Sequence, residues 1–351
     1  MSNHLNQTDA PSVNRKSTRK FRFGRAFLIL IAALLLLVSS GFGYEWYASR
    51  QAEANYPPPG KLVDVGGYKL HINKIGSGSP TILLEAASGE TSLSWKDIPR
   101  ELAESATVVS YDRGGFAWSE KATTPRTGPN IVRELHTALK NEGIHGPYIL
   151  VGHSLGGMYS RLFAQTYRDE VAGLVLIDAK PEDDDRKTAP ILAKEHFQKP
   201  TPSAFVSKLL KQSGVMRIFQ DALLEGLVEK KARPEFINVI AQPKYFDAVE
   251  EEGQSVPLLA DLVRGHNLGA LPVRVVARGL VPKETAQAGL SEEAGKRIEE
   301  IWQEGQREML KLSTDSRLIV AKKSGHYIIH DEPDLVVKVI KDLIKEIAEG
   351  K

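Results

Sequence analysis

The sequence predicts an α/β domain built on a mostly parallel sheet with helices on both faces, and three observations point to it. Short apolar runs of strand type alternate with helical stretches through most of the chain beyond residue 60, the pattern of parallel strands joined by crossovers. One run ends in a glycine-flanked serine, and a helix follows it at once. Residues 181–271 then interrupt the alternation with helical stretches and no clear strand.

Taken in order, residues 1–25 form a basic tail, with Arg15, Lys16, Arg19, Lys20, Arg22 and Arg25 against Asp9 alone. Residues 26–47, AFLILIAALLLLVSSGFGYEWY, carry a single charge, Glu45. At about 1.5 Å per residue this stretch matches the roughly 30 Å of a bilayer's hydrocarbon core. The positive-inside rule keeps the basic tail cytoplasmic and sends the remainder outside, with Tyr44, Trp46 and Tyr47 as an interfacial aromatic belt. A cleaved signal peptide is the competing reading, with Ser39-Ser40-Gly41 as its small-residue site and a secreted product. Residues 48–60, ending Pro57-Pro58-Pro59-Gly60, read as a short stiff linker.

Lys61–Asp64 and Lys69–Asn73 then suggest a hairpin around Gly66-Gly67. Thr81–Glu85 and Thr107–Tyr111 are strand-like, Ile131–Glu142 is an amphipathic helix, and Tyr148–Val151 and Val171–Ile177 are buried strands. Residues 61–180 make the first part of the core. Residues 181–271, with helices expected over 203–212, 215–231 and 234–240, read as a cap over the carboxyl ends of the strands, where open α/β sheets bind ligands. Residues 272–351 complete the core with strands at Val273–Ala277 and Arg317–Ala321 and a helix over Glu332–Ile347.

Beyond residue 25 the chain holds 40 Lys/Arg against 43 Asp/Glu, a balance that argues against a nucleic-acid surface. With no cysteine, thiolate metal sites and disulfides are excluded. No clustered carboxylate–histidine spacing suggests a metal, and no cofactor is expected. Oligomeric state is not legible.

The chemistry centres on Gly152-His153-Ser154-Leu155-Gly156, set between the apolar run Tyr148–Val151 and a helix-like stretch beginning at Gly157. Strand, G-x-S-x-G turn and helix form a nucleophile elbow that lifts a serine hydroxyl clear of the backbone. Ser154 is therefore the candidate nucleophile. A serine hydroxyl needs a base, and the base an orienting acid. His326, in Ser324-Gly325-His326-Tyr327 after a strand, is the candidate base, with His330 as fallback. His153 is too constrained by the turn for that role. Two acids remain open: Asp178, which directly follows the Val171–Ile177 strand, and Glu284, in the loop after the next one.

These motifs, with Tyr111-Asp112-Arg113-Gly114-Gly115, resemble the α/β-hydrolase fold family over residues 61–349. The resemblance implies an eight-stranded sheet, a Ser-acid-His triad and a cap inserted after the sixth strand. In most members the acid follows the seventh strand, as Glu284 would; in some lipases it follows the sixth, as Asp178 does. Many members place His-Gly after the third strand, where this chain has Leu84-Glu85-Ala86-Ala87. The oxyanion donors expected are the N–H groups of Leu155 and Ala87, with Glu85 paired elsewhere and Arg113 as its candidate partner. The activity implied is acyl transfer to water, with a carboxylic ester as the small-molecule substrate. Monoacylglycerol-type lipids are an alternative. So is an aminopeptidase like proline iminopeptidase, whose substrate amine the runs Glu182–Asp185 and Glu250–Glu252 would bind. A non-catalytic binding protein that kept the fold is the reading from another class.

Overall fold

A computed structural model describes residues 15–197, 202–225, 228–281 and 289–350, with side chains from residue 25 onward. Its centre is an eight-stranded sheet: β1 (Lys61–Asp64), β2 (Lys69–Ile75), β3 (Thr81–Glu85), β4 (Thr107–Tyr111), β5 (Tyr148–His153), β6 (Val171–Ile177), β7 (Val273–Arg278) and β8 (Ser316–Ala321). The spatial order is β1-β2-β4-β3-β5-β6-β7-β8. The β1–β2 and β2–β4 pairs are antiparallel, and every other pair is parallel.

Successive residues of a strand point to opposite faces, and the central strands β3 to β7 are buried on both. Leu83, Val109, Leu150, Leu174 and Leu176 join an apolar cluster with the Gly128–Asn141 and Leu155–Thr166 helices. Ile82, Leu84, Ile149, Val151, Val175 and Ile177 join a second one with Trp95, Ile98 and the Pro333–Ala348 helix. This two-sided burial explains why the central strands read as unbroken apolar runs.

Among the described residues no strand lies between β6 and β7. The helix Pro243–Val263 spans this region, and its Leu259 packs into the first cluster. It begins on Pro243, which suits a first turn. The helix expected over 215–231 is broken. Val215–Ile218 and Gln220–Leu223 are single turns separated at Phe219, whose φ of −106° and ψ of 26° leave the helical region. Arg233 then takes the carbonyls of Val228 and Asp221 on its guanidinium, which holds the segment in an irregular path.

At the N-terminus one helix runs over Arg15–Asn55. Residues 25–55 are long and apolar enough to cross a membrane, with a mean hydropathy of 2.5 in the richest stretch. Residues 48–55, read as linker from sequence, continue this helix. Only the proline run at 57–59 stops it.

Candidate active site

Ser154, Asp178 and His326 lie at the carboxyl ends of β5, β6 and β8. Ser154 follows β5 in the middle of the sheet, and its N–H donates to the Ile177 carbonyl at 3.1 Å. It adopts φ +52° and ψ −119°, a conformation that costs a non-glycine residue about 1–3 kcal/mol and persists only where the surroundings impose it. The flanking glycines make the turn possible. A Cβ on Gly152 would lie 2.6 Å from Ser160 Oγ, and one on Gly156 would lie 2.6 Å from the Ala86 carbonyl oxygen. One on Gly157 would collide with Ala179.

Ser154 Oγ is 3.0 Å from His326 Nε2, and His326 Nδ1 is 2.7 Å from Asp178 Oδ2. The histidine side chain is 25% exposed, whereas the aspartate is fully buried. His330 turns away and meets the Ser94 carbonyl at 3.0 Å. Glu284 falls outside the described residues. Among the described residues no cluster of three or more His, Asp or Glu side chains could hold a metal ion.

Asp178 has more partners than the histidine. It also stands at positive φ, +38°. Its Oδ2 accepts from Arg278 Nη1 at 2.9 Å, and its Oδ1 accepts from Trp302 Nε1 at 3.0 Å and from the Arg278 N–H at 3.2 Å. Burial alone would raise its pKa; the His326 hydrogen bond, the Arg278 charge and the Trp302 hydrogen bond outweigh it and hold the carboxyl below its ordinary value. The guanidinium is shared with Glu299. Sequence reading missed Arg278, Glu299 and Trp302. The signal was present in the Glu292–Glu308 helix: Glu299, Trp302, Gln303 and Gln306 fall at i, i+3, i+4 and i+7, one face. Gln303 donates to the Arg278 carbonyl and Gln306 to that of Ala179, so this face turns wholly toward the loop that carries Asp178.

On the other side of the serine, Leu155 begins a helix, so its N–H has no acceptor within the helix. The Ala87 N–H faces Glu90 Oε2 at 3.4 Å, a long contact that an incoming oxygen would have to displace. Glu90 is tethered to His153 Nδ1 at 3.3 Å, and His153 Nε2 lies 2.9 Å from the His326 carbonyl. Burial would raise the Glu90 carboxyl, but the hydrogen bond and charge of His153 hold it below its ordinary value. Burial likewise would lower His153, and Glu90 raises it instead.

Glu85 is paired away from the serine. Its carboxylate accepts from Arg113 Nη1 at 2.8 Å and from the Tyr111 hydroxyl. Arg113 is the hub of this region. Its Nε meets Glu252 of the Pro243–Val263 helix at 3.0 Å, Nη1 donates to the Ala86 carbonyl at 2.9 Å, and Nη2 to the Ala87 carbonyl at 2.8 Å. With both carbonyls held on the guanidinium side, the Ala87 peptide is fixed in one orientation.

A family model of the alpha/beta hydrolase fold matches residues 80–205. An uncharacterised Bacillus subtilis protein, YqjL, is 26% identical over 284 residues, covering 81% of this chain and 91% of that protein. Among solved structures, the epoxide hydrolase CorEH aligns with a TM-score of 0.57 at 18% identity, over 82% of this chain and 98% of the other. A thermophilic esterase from Thermogutta terrifontis aligns with a TM-score of 0.53 at 20% identity, over the same shares.

Proposed function

We propose that this chain, which belongs to the α/β-hydrolase fold family, is a serine hydrolase that cleaves carboxylic esters through an acyl-enzyme on Ser154. The observation that carries the reading is the continuous chain Ser154 Oγ–His326 Nε2–Asp178, at 3.0 and 2.7 Å. These spacings let the imidazole take the hydroxyl proton while the buried carboxylate fixes its tautomer and stabilises the imidazolium.

In the first half-reaction Ser154 Oγ attacks the ester carbonyl carbon and its proton passes to His326 Nε2. The carbonyl oxygen becomes an oxyanion between the N–H groups of Leu155 and Ala87, the second freed from Glu90. The tetrahedral adduct collapses, and the leaving alkoxide takes the proton from His326. Water then attacks the acyl-enzyme with His326 as base, and the acid leaves Ser154 free. Fixed backbone donors of this kind are worth about 10²–10³ in rate each.

The CorEH likeness extends to the fold. A serine at the elbow supports acyl transfer, because epoxide-opening relatives of this fold use an aspartate there. The aminopeptidase reading is weakened because most of these acids are engaged: Glu182 pairs with Arg161, Asp183 with Arg264, Asp184 and Asp185 with Lys180, and Glu252 with Arg113, which leaves Glu250 and Glu251 exposed. The same proposal takes residues 26–47 as an uncleaved anchor with the hydrolase domain outside the cytoplasm.

The test is turnover of short-chain p-nitrophenyl esters by the full chain in detergent, against Ser154→Ala. The expected result is an initial burst of one equivalent of nitrophenol, absent from the variant. Equal, burst-free release from both proteins would overturn it.

A further inference from the structure

We infer that the outward face of the Ala204–Gln212 helix, together with the turns at residues 218–223, is a second membrane-binding surface. It would seat the domain against the bilayer that the N-terminal helix enters. The inference rests on the reading of that helix as a span, and three observations carry it.

The first is a helix with its apolar side turned the wrong way for a soluble protein. Ala204, Ser207 and Lys211 fall at i, i+3 and i+7 and are buried. Phe205, Val206 and Leu209 lie on the opposite side and are 71%, 43% and 47% exposed. The apolar patch continues on Ile218, Phe219 and Leu223, all exposed. A surface helix normally puts its apolar stripe against the core; here part of that stripe looks outward.

The second is a fixed attachment to the N-terminal helix. Glu45 is buried and accepts from Lys211 Nζ and from Arg217 Nε, the latter at 2.7 Å. Lys211 is on the buried side of the same amphipathic helix, and Arg217 immediately precedes Ile218. A Cβ on Gly41 would collide with the Ser213 carbonyl, so these backbones touch.

The third is depth. A hydrocarbon core of roughly 30 Å takes about 20 helical residues, and counting from Ala26 this ends at Glu45. Gly41 lies four residues on the membrane side, about 6 Å at 1.5 Å per residue. The turn at Ser213–Gly214, between the two parts of the patch, therefore lies up to about 6 Å inside the outer edge of the apolar layer, which is the level of Glu45. Tyr44, Trp46 and Tyr47 are exposed at the same level, as side chains at a headgroup boundary are. An interfacial helix buries its apolar face about 5–10 Å into this zone, so the patch and the span would meet one continuous lipid surface.

The chain contains no cysteine, so single cysteines report cleanly. Spin labels would be placed at Phe205, Leu209 or Phe219 in the patch, at Leu36 in the span, and at Glu251 and Lys338 as exposed controls. The full-length variants, with circular dichroism matching wild type, would be reconstituted in phosphatidylcholine vesicles. Relaxation by oxygen, which partitions into lipid, would be compared with relaxation by a water-soluble nickel chelate. The expected result is oxygen preference at the patch and at Leu36, and nickel preference at both controls. Nickel preference at the patch with oxygen preference at Leu36 would overturn the second surface and leave the span intact. Nickel preference at Leu36 as well would overturn the span reading and the surface with it. Oxygen preference at Glu251 or Lys338 would mean general adsorption and would overturn the orientation.

Discussion

Replacing Arg113 by methionine tests the packing around the Ala86–Ala87 segment, where the second oxyanion donor is proposed. The guanidinium side chain is 2% exposed, and the carboxylates it joins, Glu85 and Glu252, are 7% and 1% exposed. Methionine fills similar space but leaves two buried carboxylates without their cation and the Ala86 and Ala87 carbonyls without that donor. Removing one partner of a buried ion pair costs about 3–5 kcal/mol, and the Tyr111 hydroxyl stays on Glu85. For a domain of this size about 1 kcal/mol shifts the melting midpoint by roughly 2–4 °C. The expected drop at pH 7.5 is therefore about 6–20 °C by differential scanning fluorimetry.

Acid should narrow the deficit. Burial already holds Glu85 above its ordinary value against the opposing Arg113 charge, and losing that charge raises it further. A carboxyl raised in the folded state favours folding below its unfolded pKa and loses that contribution as the pH rises through the folded value. The variant is thus penalised most at neutral pH and least near pH 4. Ester turnover should fall up to about 10²-fold as the Ala87 peptide loses its fixed orientation. A variant that melts within about 1 °C of wild type, or whose deficit grows on acidification, would refute the reasoning.

Three further outcomes follow from the same contacts. Asp178→Asn should lower ester turnover by about 10³–10⁴, because an amide cannot hold the His326 tautomer. It should also remove an acid-side stability loss: a carboxyl held below its ordinary value contributes fully above about pH 4 and loses this as pH falls through the lowered value. Urea titrations at pH 3 and 7 check the second point. Gly156→Ala pushes a methyl toward the Glu85 and Ala86 carbonyls and should cost about 1–3 kcal/mol, read as a lower urea midpoint. Glu45→Gln leaves the buried Lys211 without its carboxylate and should lower the full chain's thermal midpoint in detergent, by about 3 kcal/mol of stability; an unchanged midpoint would count against the docking.

The centre of the sheet was legible because strands β3 to β7 are buried on both faces, and continuous apolar runs mark such strands. That Ser154, His326 and Asp178 would come together was legible because chain order and strand ends confine the candidates, though sequence alone kept Glu284 as the alternative to Asp178. What chose the company of Asp178 was tertiary: Arg278 and Trp302 come from β7 and a helix about a hundred residues away in sequence. The Pro243–Val263 helix escaped because Pro257 and the acidic run at 250–252 mask its period. The helix expected over 215–231 failed for the converse reason. Its residues favour a helix locally, but the backbone leaves the helical region at Phe219, and Arg233 takes the carbonyls of Asp221 and Val228. Glu45 looked like a lone charge near the end of an apolar span; its purpose is visible only with Lys211 and Arg217 beside it.

Every step proposed for the site requires an activated serine at residue 154, and fluorophosphonate labelling of the full chain probes that hydroxyl itself. Intact-mass and peptide analysis should find one phosphonyl group, on Ser154, formed far more slowly in Asp178→Asn and not at all in Ser154→Ala. A folded wild-type protein that stays unlabelled, or that carries the label on another residue, would mean that Ser154 is not an activated nucleophile.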